Sequence, residues 1–182
     1  MIERRQCDID TETGQVYNIK TNRFTNFDVD KGYLFWSKKQ SLRTFNDLKL
    51  SDFIKDRTDF MRCHLLAEQI YKDSNMIAIR ISTRRIRPAD VEDISRIISL
   101  GYKKTKEFLS RMIKLRIIAE RVDTVGDLVS TKYYFNPLFF CSSKYLKPDL
   151  YFLFQESLDD YIPGWARQKF HEIGNIKRES KT

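Results

Sequence analysis

Histidine is nearly absent from this sequence: 182 residues carry only His64 and His171, far apart. Neither stands in a set of residues spaced as paired zinc ligands. A His-x-His pair, expected of nicking enzymes with a tyrosine nucleophile, is missing, so none of the nine tyrosines reads as one. No Gly-x-x-x-x-Gly-Lys phosphate loop occurs. The carboxylate pair Asp159-Asp160 has no clustered basic or histidine partner and reads as a solvated helix face. No catalytic residue, metal or cofactor is expected, and the chain reads as a non-enzyme.

Cysteine is also scarce. Cys7, Cys63 and Cys141 are odd in number and widely spaced, which argues against a disulfide framework and for small structural side chains. Only 6 Gly and 4 Pro occur, so short loops and a large helical share are expected. No stretch approaches the roughly 18 consecutive apolar residues of a membrane span. The segment Met1 to Asp10 lacks the apolar core of a signal peptide. These absences lead to the expectation of a soluble cytoplasmic protein with no membrane partner. Apolar residues make up 41% and charged ones 32%, enough for a core and short of the profile of disorder.

What is abundant is positive charge in one place. Between Arg80 and Arg121 there are twelve bases against five acids, almost the whole net charge of +8. Positive charge gathered on one structural unit is the footprint of a nucleic-acid surface.

The order of elements follows from spacing. Val16, Tyr17 and Ile19 after Thr13-Gly14 suggest an N-terminal hairpin. The aromatics Tyr33, Phe35, Trp36 and Phe45 sit among Lys38, Lys39 and Arg43. They read first as core, with stacking on unpaired bases the rival. A helix is predicted over Asp59 to Tyr71 and a strand over Met76 to Ile81. Pro88 is placed at the first turn of a helix whose apolar positions are Val91, Ile94, Ile97 and Ile98. Ser99-Leu100-Gly101 breaks it, with Gly101 supplying a left-handed turn. A second helix runs from about Tyr102 to Leu115. Phased at 100° per residue, Thr105, Phe108, Leu109, Met112 and Arg116 face inward. Lys103, Glu107, Ser110 and Lys114 face outward, flanked by Lys104, Lys106 and Arg111. Strands over Ile117 to Val122 and Leu128 to Phe135 follow, joined by Gly126-Asp127.

Strand, helix, turn, helix, strand, turn, strand is the order of a winged helix, whose second helix fits the major groove. Phosphate contacts are expected from Arg84, Arg85, Arg87, Lys104 and Arg111. Base readout is expected from Lys103, Lys106, Glu107 and Ser110. At the wing, Arg121 and Lys132 are better placed than the tip, which carries acids. The rival reading is a protein-interaction module whose basic face meets an acidic partner.

The run Asp93-Ile94-Ser95-Arg96-Ile97-Ile98-Ser99-Leu100-Gly101 resembles the first part of helix–turn–helix motifs. Ile94, Ile98, Leu100, Thr105 and Phe108 stand at its inward positions, and Ser99 replaces the commoner Gly. With Leu115 to Ile118 and Tyr133 to Phe140, residues 76–140 resemble winged-helix proteins of plasmids and phages of Gram-positive bacteria, including replication-initiation proteins. The resemblance implies an α+β fold and binding of double-stranded DNA at an origin or operator. It leaves open whether the chain works with replication or transcription proteins. The division expected is an arm over 1–57, a winged-helix domain over 58–140 and a helical region over 141–182. In that last region Asp149 is read as a helix cap and Pro163-Gly164 as its end, with a shorter helical piece over Trp165 to Ile173 following. Leu150, Leu153, Phe154, Leu158 and Tyr161 form a stripe expected to pair two protomers, because Tyr151, Phe152, Phe154 and Trp165 exceed what one helix face needs.

Overall fold

The computed structural model describes residues 2–9, 16–24, 27–28, 30–34, 49–72, 74–82, 85–125 and 128–179. It is an α+β chain whose strands form small antiparallel sheets. The expected N-terminal hairpin is present: β1 (Ile2–Ile9) pairs with β2 (Val16–Phe24), with a register shift between Gln6 and Asp8. Its turn lies outside the described residues, as do Phe35, Trp36 and Phe45. A tighter hairpin joins β3 (Phe27–Asp28) to β4 (Gly32–Leu34). Asp28 closes it by accepting the N–H groups of Asp30 at 3.0 Å and Lys31 at 2.9 Å. Gly32 has φ +87°, and a Cβ there would collide with the Leu146 carbonyl. Only glycine lets this strand approach residues 145–146, which take its other edge.

After α1 (Leu50–Phe53), α2 (Arg57–Ala67) starts at Asp56, whose carboxylate accepts from Thr58 N–H and Asp59 N–H. This is an N-cap. The Asp59 N–H, then that of Thr58, hold the Asp56 carboxyl below the usual carboxylate range. The helix stops earlier than expected because Gln69 to Tyr71 pair with 76–78 instead: Tyr71 N–H reaches Met76 O at 2.7 Å and Ala78 N–H reaches Gln69 O at 3.0 Å. The strand expected over 76–81 is the shorter β5 (Ala78–Arg80), paired with β6 (Ile86–Pro88). Pro88 therefore ends a strand and does not open a helix. Asp90 opens α3 (Val91–Ile97) through a capping box with Asp93.

Ser99, at φ +52°, makes the turn into α4 (Tyr102–Lys114). Gly101 has φ −66° and serves as the N-cap residue, so serine, not glycine, takes the left-handed conformation. Arg116, at φ +57°, ends the turn after α4 and leads into β7 (Ile118–Val125), which pairs with β8 (Leu128–Phe135). The tip at Gly126-Asp127 is outside the described residues.

Side-chain parity explains how this last hairpin sits. Ile118, Tyr133 and Phe135 share one face and join a core with Cys63, Leu66, Ile94, Phe108 and Met112. Ala119 and Tyr134 share the other face and pack on a second core. That core is built by Leu146 of β9 (Tyr145–Leu146), by α5 (Pro148–Leu153), by Leu158 of α6 (Gln155–Leu158) and by Phe170 of α7 (Gly164–Glu179). Phe27 and Tyr33 join it from the N-terminal strands. The first core reaches back to Leu50 and Ile54, ahead of residue 58. Both cores thus draw on residues of the 1–57 segment.

Two expectations for the C-terminal region change. Lys147, not Asp149, is the N-cap of α5, with Pro148 in the first turn where a missing N–H is harmless. The helical piece expected over Trp165 to Ile173 after the Pro163-Gly164 break is the longer α7, which takes in Gly164 as its first residue. α7 runs on to Glu179 because Ala166 and Phe170, four apart, bury together on the second core. Tyr151 stacks on Phe170 at 4.2 Å and donates its hydroxyl to Asp159 at 2.7 Å. Burial, then that carboxylate, pushes the phenol pKa up.

Asn75 ties these parts together. It is 1% exposed and has φ +56°, a conformation asparagine tolerates. Its amide donates to Phe135 O at 3.1 Å and Phe140 O at 2.6 Å, and its side-chain oxygen accepts from Ser142 N–H at 3.0 Å. Asn75→Ala leaves these buried groups unpaired and is expected to lower stability by about 2–4 kcal/mol. Denaturant unfolding would measure it; a loss under 1 kcal/mol would mean water replaces the amide.

Candidate nucleic-acid interface

The face that α4 turns outward is as the sequence spacing predicts. Thr105, Phe108, Leu109 and Met112 are buried. Lys103, Lys104, Lys106, Glu107, Ser110, Arg111 and Lys114 are exposed. Arg116 departs from the expected inward set. It lies past the helix end, is 56% exposed and pairs with Glu156. The apolar face is fixed from below by α2, where Cys63 Sγ meets Met112 Sδ at 3.4 Å. Burial pushes the Cys63 thiol up to about 12, with Asp59 adding to it. Cys141 is buried too. These two behave as small core side chains.

Ion pairing divides the expected contact residues into two groups. Among the described residues, no ion pair engages Lys103, Lys104, Lys106, Glu107 or Lys114. Lys106 rests its ammonium 5.1 Å from the Tyr102 ring centre. Arg85 is exposed and likewise unpaired. Arg84 lies outside the described residues.

The other bases are committed within the fold. Arg111 places its guanidinium on Asp59 at 2.7 and 3.2 Å, and Arg62 reaches the same carboxylate at 2.9 Å. Arg87 bridges Asp90 at 3.2 Å and Asp93 at 2.6 Å. Its hydrogen bonds to Asp93 raise its already high pKa. Partial burial pushes the Asp90 carboxyl up, but the Asp93 N–H and Arg87 outweigh it, and Asp90 lies below the usual range. On the β7–β8 hairpin, Arg121 pairs with Asp123 at 2.9 Å and Lys132 reaches the same acid at 2.5 Å. The Lys132 hydrogen bond, with Arg121 adding, holds the Asp123 carboxyl below the usual carboxylate range. Arg111, Arg87, Arg121 and Lys132 each keep part of their surface, from 28% for Lys132 to 52% for Arg111, but each already has a carboxylate partner, which Arg111 shares with Arg62 and which Arg121 and Lys132 share with each other.

For Arg111, sequence spacing missed the pairing because Asp59 is 52 residues away. One signal was available. Asp59 lies in phase with Cys63 and Leu66 on the buried side of α2. A carboxylate on a core stripe calls for a cationic partner from another element.

Beside the start of α4, a concavity of about 800 Å³ lies between β6, α3 and the β7–β8 hairpin. Its lining mixes Arg87 and Lys106 with Asp90, Glu92 and Glu120. Such a mixture does not attract phosphate. The continuous unmatched charge runs instead along the outer stripe of α4. Tyr133 at the floor of the concavity is held protonated by burial, then by Glu120, which together push its hydroxyl up to about 12.

The expected pairing stripe is corrected by burial. Leu150, Phe154 and Leu158 are 8%, 4% and 0% exposed, inside the chain's own second core, and Leu153 packs against it. Only Tyr161, 43% exposed, faces out. The excess aromatics are used within the chain, by Tyr151 on Phe170 and by Tyr33 against Trp165.

No helix among the described residues is long and apolar enough to cross a membrane. No family model matches the chain, and no curated protein or solved structure does either.

Proposed function

We propose that residues 76–140 act as a winged-helix module that binds double-stranded DNA sequence-specifically through α4. The observation that carries this reading is the unmatched charge of that helix. Lys103, Lys104, Lys106 and Lys114 are exposed on the side opposite the core, and none is neutralised by a described acid. A helix of this kind fits the major groove, where cations release condensed counterions. Lys103, Lys106, Glu107 and Ser110 meet base edges; lysine donates to guanine and a carboxylate accepts from cytosine. Lys104, Lys114 and Arg85 meet phosphates. Arg111, Arg87, Arg121 and Lys132 assist with their exposed edges and chiefly hold the scaffold. By its resemblance the module serves a mobile element as a replication initiator or a transcription regulator, working beside replication or transcription proteins.

Two titrations test this. With random duplex, log K is expected to fall linearly with log salt at a slope of roughly −5 for about six phosphates. A flat response would favour the protein-interaction reading. With a selected cognate duplex, Lys106→Ala or Glu107→Ala is expected to cost about 1–3 kcal/mol and little on random DNA. Arg85→Ala is expected to weaken both alike. Equal losses on both duplexes for all three would move readout off α4.

A further inference from the structure

α2 has apolar residues on both of its sides. Asp59, Cys63, Leu66 and Ala67 are buried. Phasing at 100° per residue puts Arg57, Met61, Leu65 and Glu68 on the opposite side. All four are exposed, Met61 at 53% and Leu65 at 41%. The solvent face of a helix is ordinarily polar. Here its middle is apolar and its two ends carry opposite charges, and among the described residues neither charge has an ion-pair partner. Arg57 and Glu68 stand about 16 Å apart along the helix, too far to meet each other.

This order is self-complementary in one arrangement. Turning a second copy about a two-fold axis at the level of Cys63 sets Met61 against the partner's Leu65. It also sets Arg57 against the partner's Glu68, and it aligns the two helix dipoles antiparallel. An isologous interface requires this reciprocity. We propose that the chain forms a two-fold dimer through the outer face of α2. The inner side of α2 holds α4, through Asp59 on Arg111 and Cys63 against Met112. The paired face therefore points away from the basic stripe and leaves it open. The proposal does not depend on what that stripe binds.

Sedimentation without DNA tests it, over a concentration series reaching about 100 μM, a range in which weak specific dimers form. The wild type is expected to dimerise. Met61→Glu with Leu65→Glu is expected to give monomers whose circular dichroism and melting match the wild type, since both residues are exposed. Arg57→Glu alone is expected to weaken the dimer about tenfold through two symmetric contacts. Adding Glu68→Arg is expected to restore it, and only contact between copies can produce that rescue. A wild type that stays monomeric throughout, or a charge swap that restores nothing, would overturn the proposal. A dimer that survives the glutamates would place the interface elsewhere.

Discussion

Changing Lys104, Lys106 and Lys114 together to alanine is expected to lower duplex affinity about a hundredfold or more near physiological salt. The salt slope should become shallower by about 2, since Lys104 and Lys114 are the phosphate contacts among the three and each removes roughly 0.9. The fold should be untouched. The three ammonium groups are exposed and unmatched, so their removal leaves no buried acid without its cation. Arg111→Ala should behave in the opposite way, because its guanidinium is bonded to the buried Asp59. It is expected to cost more stability than affinity. Filter binding or anisotropy beside thermal melting separates the two. If the triple lysine variant binds duplex within a factor of two of the wild type, DNA recognition through α4 is wrong.

The second large effect is a trade of stability for charge. Asp93 is buried, with its side chain 1% exposed, and it accepts from Arg87, Arg96 and the Asp90 N–H. Asp93→Ala removes half of a capping box and the anchor of two cations. Both arginines can regain water, since Arg87 is 38% and Arg96 71% exposed, so the full penalty of a broken buried pair does not apply. A loss of about 2–3 kcal/mol is expected. At the same time Arg96 loses its carboxylate partner and Arg87 keeps only Asp90, at the edge of the proposed DNA surface. Affinity for random duplex is then expected to rise about two- to tenfold at low salt, while stability falls. Denaturant unfolding and binding at two salt concentrations read both changes. Stability lost with no gain in random binding would mean that α3 lies away from the DNA.

The parts of this structure that were legible in the sequence are those governed by local period. The two faces of α4 follow from spacing alone, and Thr105, Phe108, Leu109 and Met112 are buried as phased. The β7–β8 strands follow from a run of β-branched and aromatic residues around one turn. Most of what was not legible depends on partners distant in sequence. Periodicity marked Leu150, Phe154 and Leu158 as an apolar stripe but says nothing about which molecule covers it; Tyr151, Phe170 and Phe27 of the same chain do. Charge counting marked Arg111 with the lysines, although Asp59, 52 residues away, already pairs with it; it marked Arg87 too, whose partners Asp90 and Asp93 stand only three and six residues on. Short strands such as β9, two residues long, carry no pattern of their own and exist because β4 offers an edge. The turn before α4 misled in another way. Gly101 was available for the left-handed position, yet Ser99 takes it, because Leu100 N–H reaches back to Ser95 O at 2.9 Å.

The pairing of β4 with β9 also sets a timetable during synthesis. Tyr33 and Leu34 leave the ribosome about 110 residues before their strand partners, Leu146 and Tyr145. At 5–20 residues per second, that is a wait of roughly 5–20 s. Residues 50–140, which supply the whole first core, emerge within that interval. The basic module can therefore assemble while Phe27 and Tyr33 still lack the helices that cover them, and the second core closes last, drawing the earliest-made strands onto the latest-made helices.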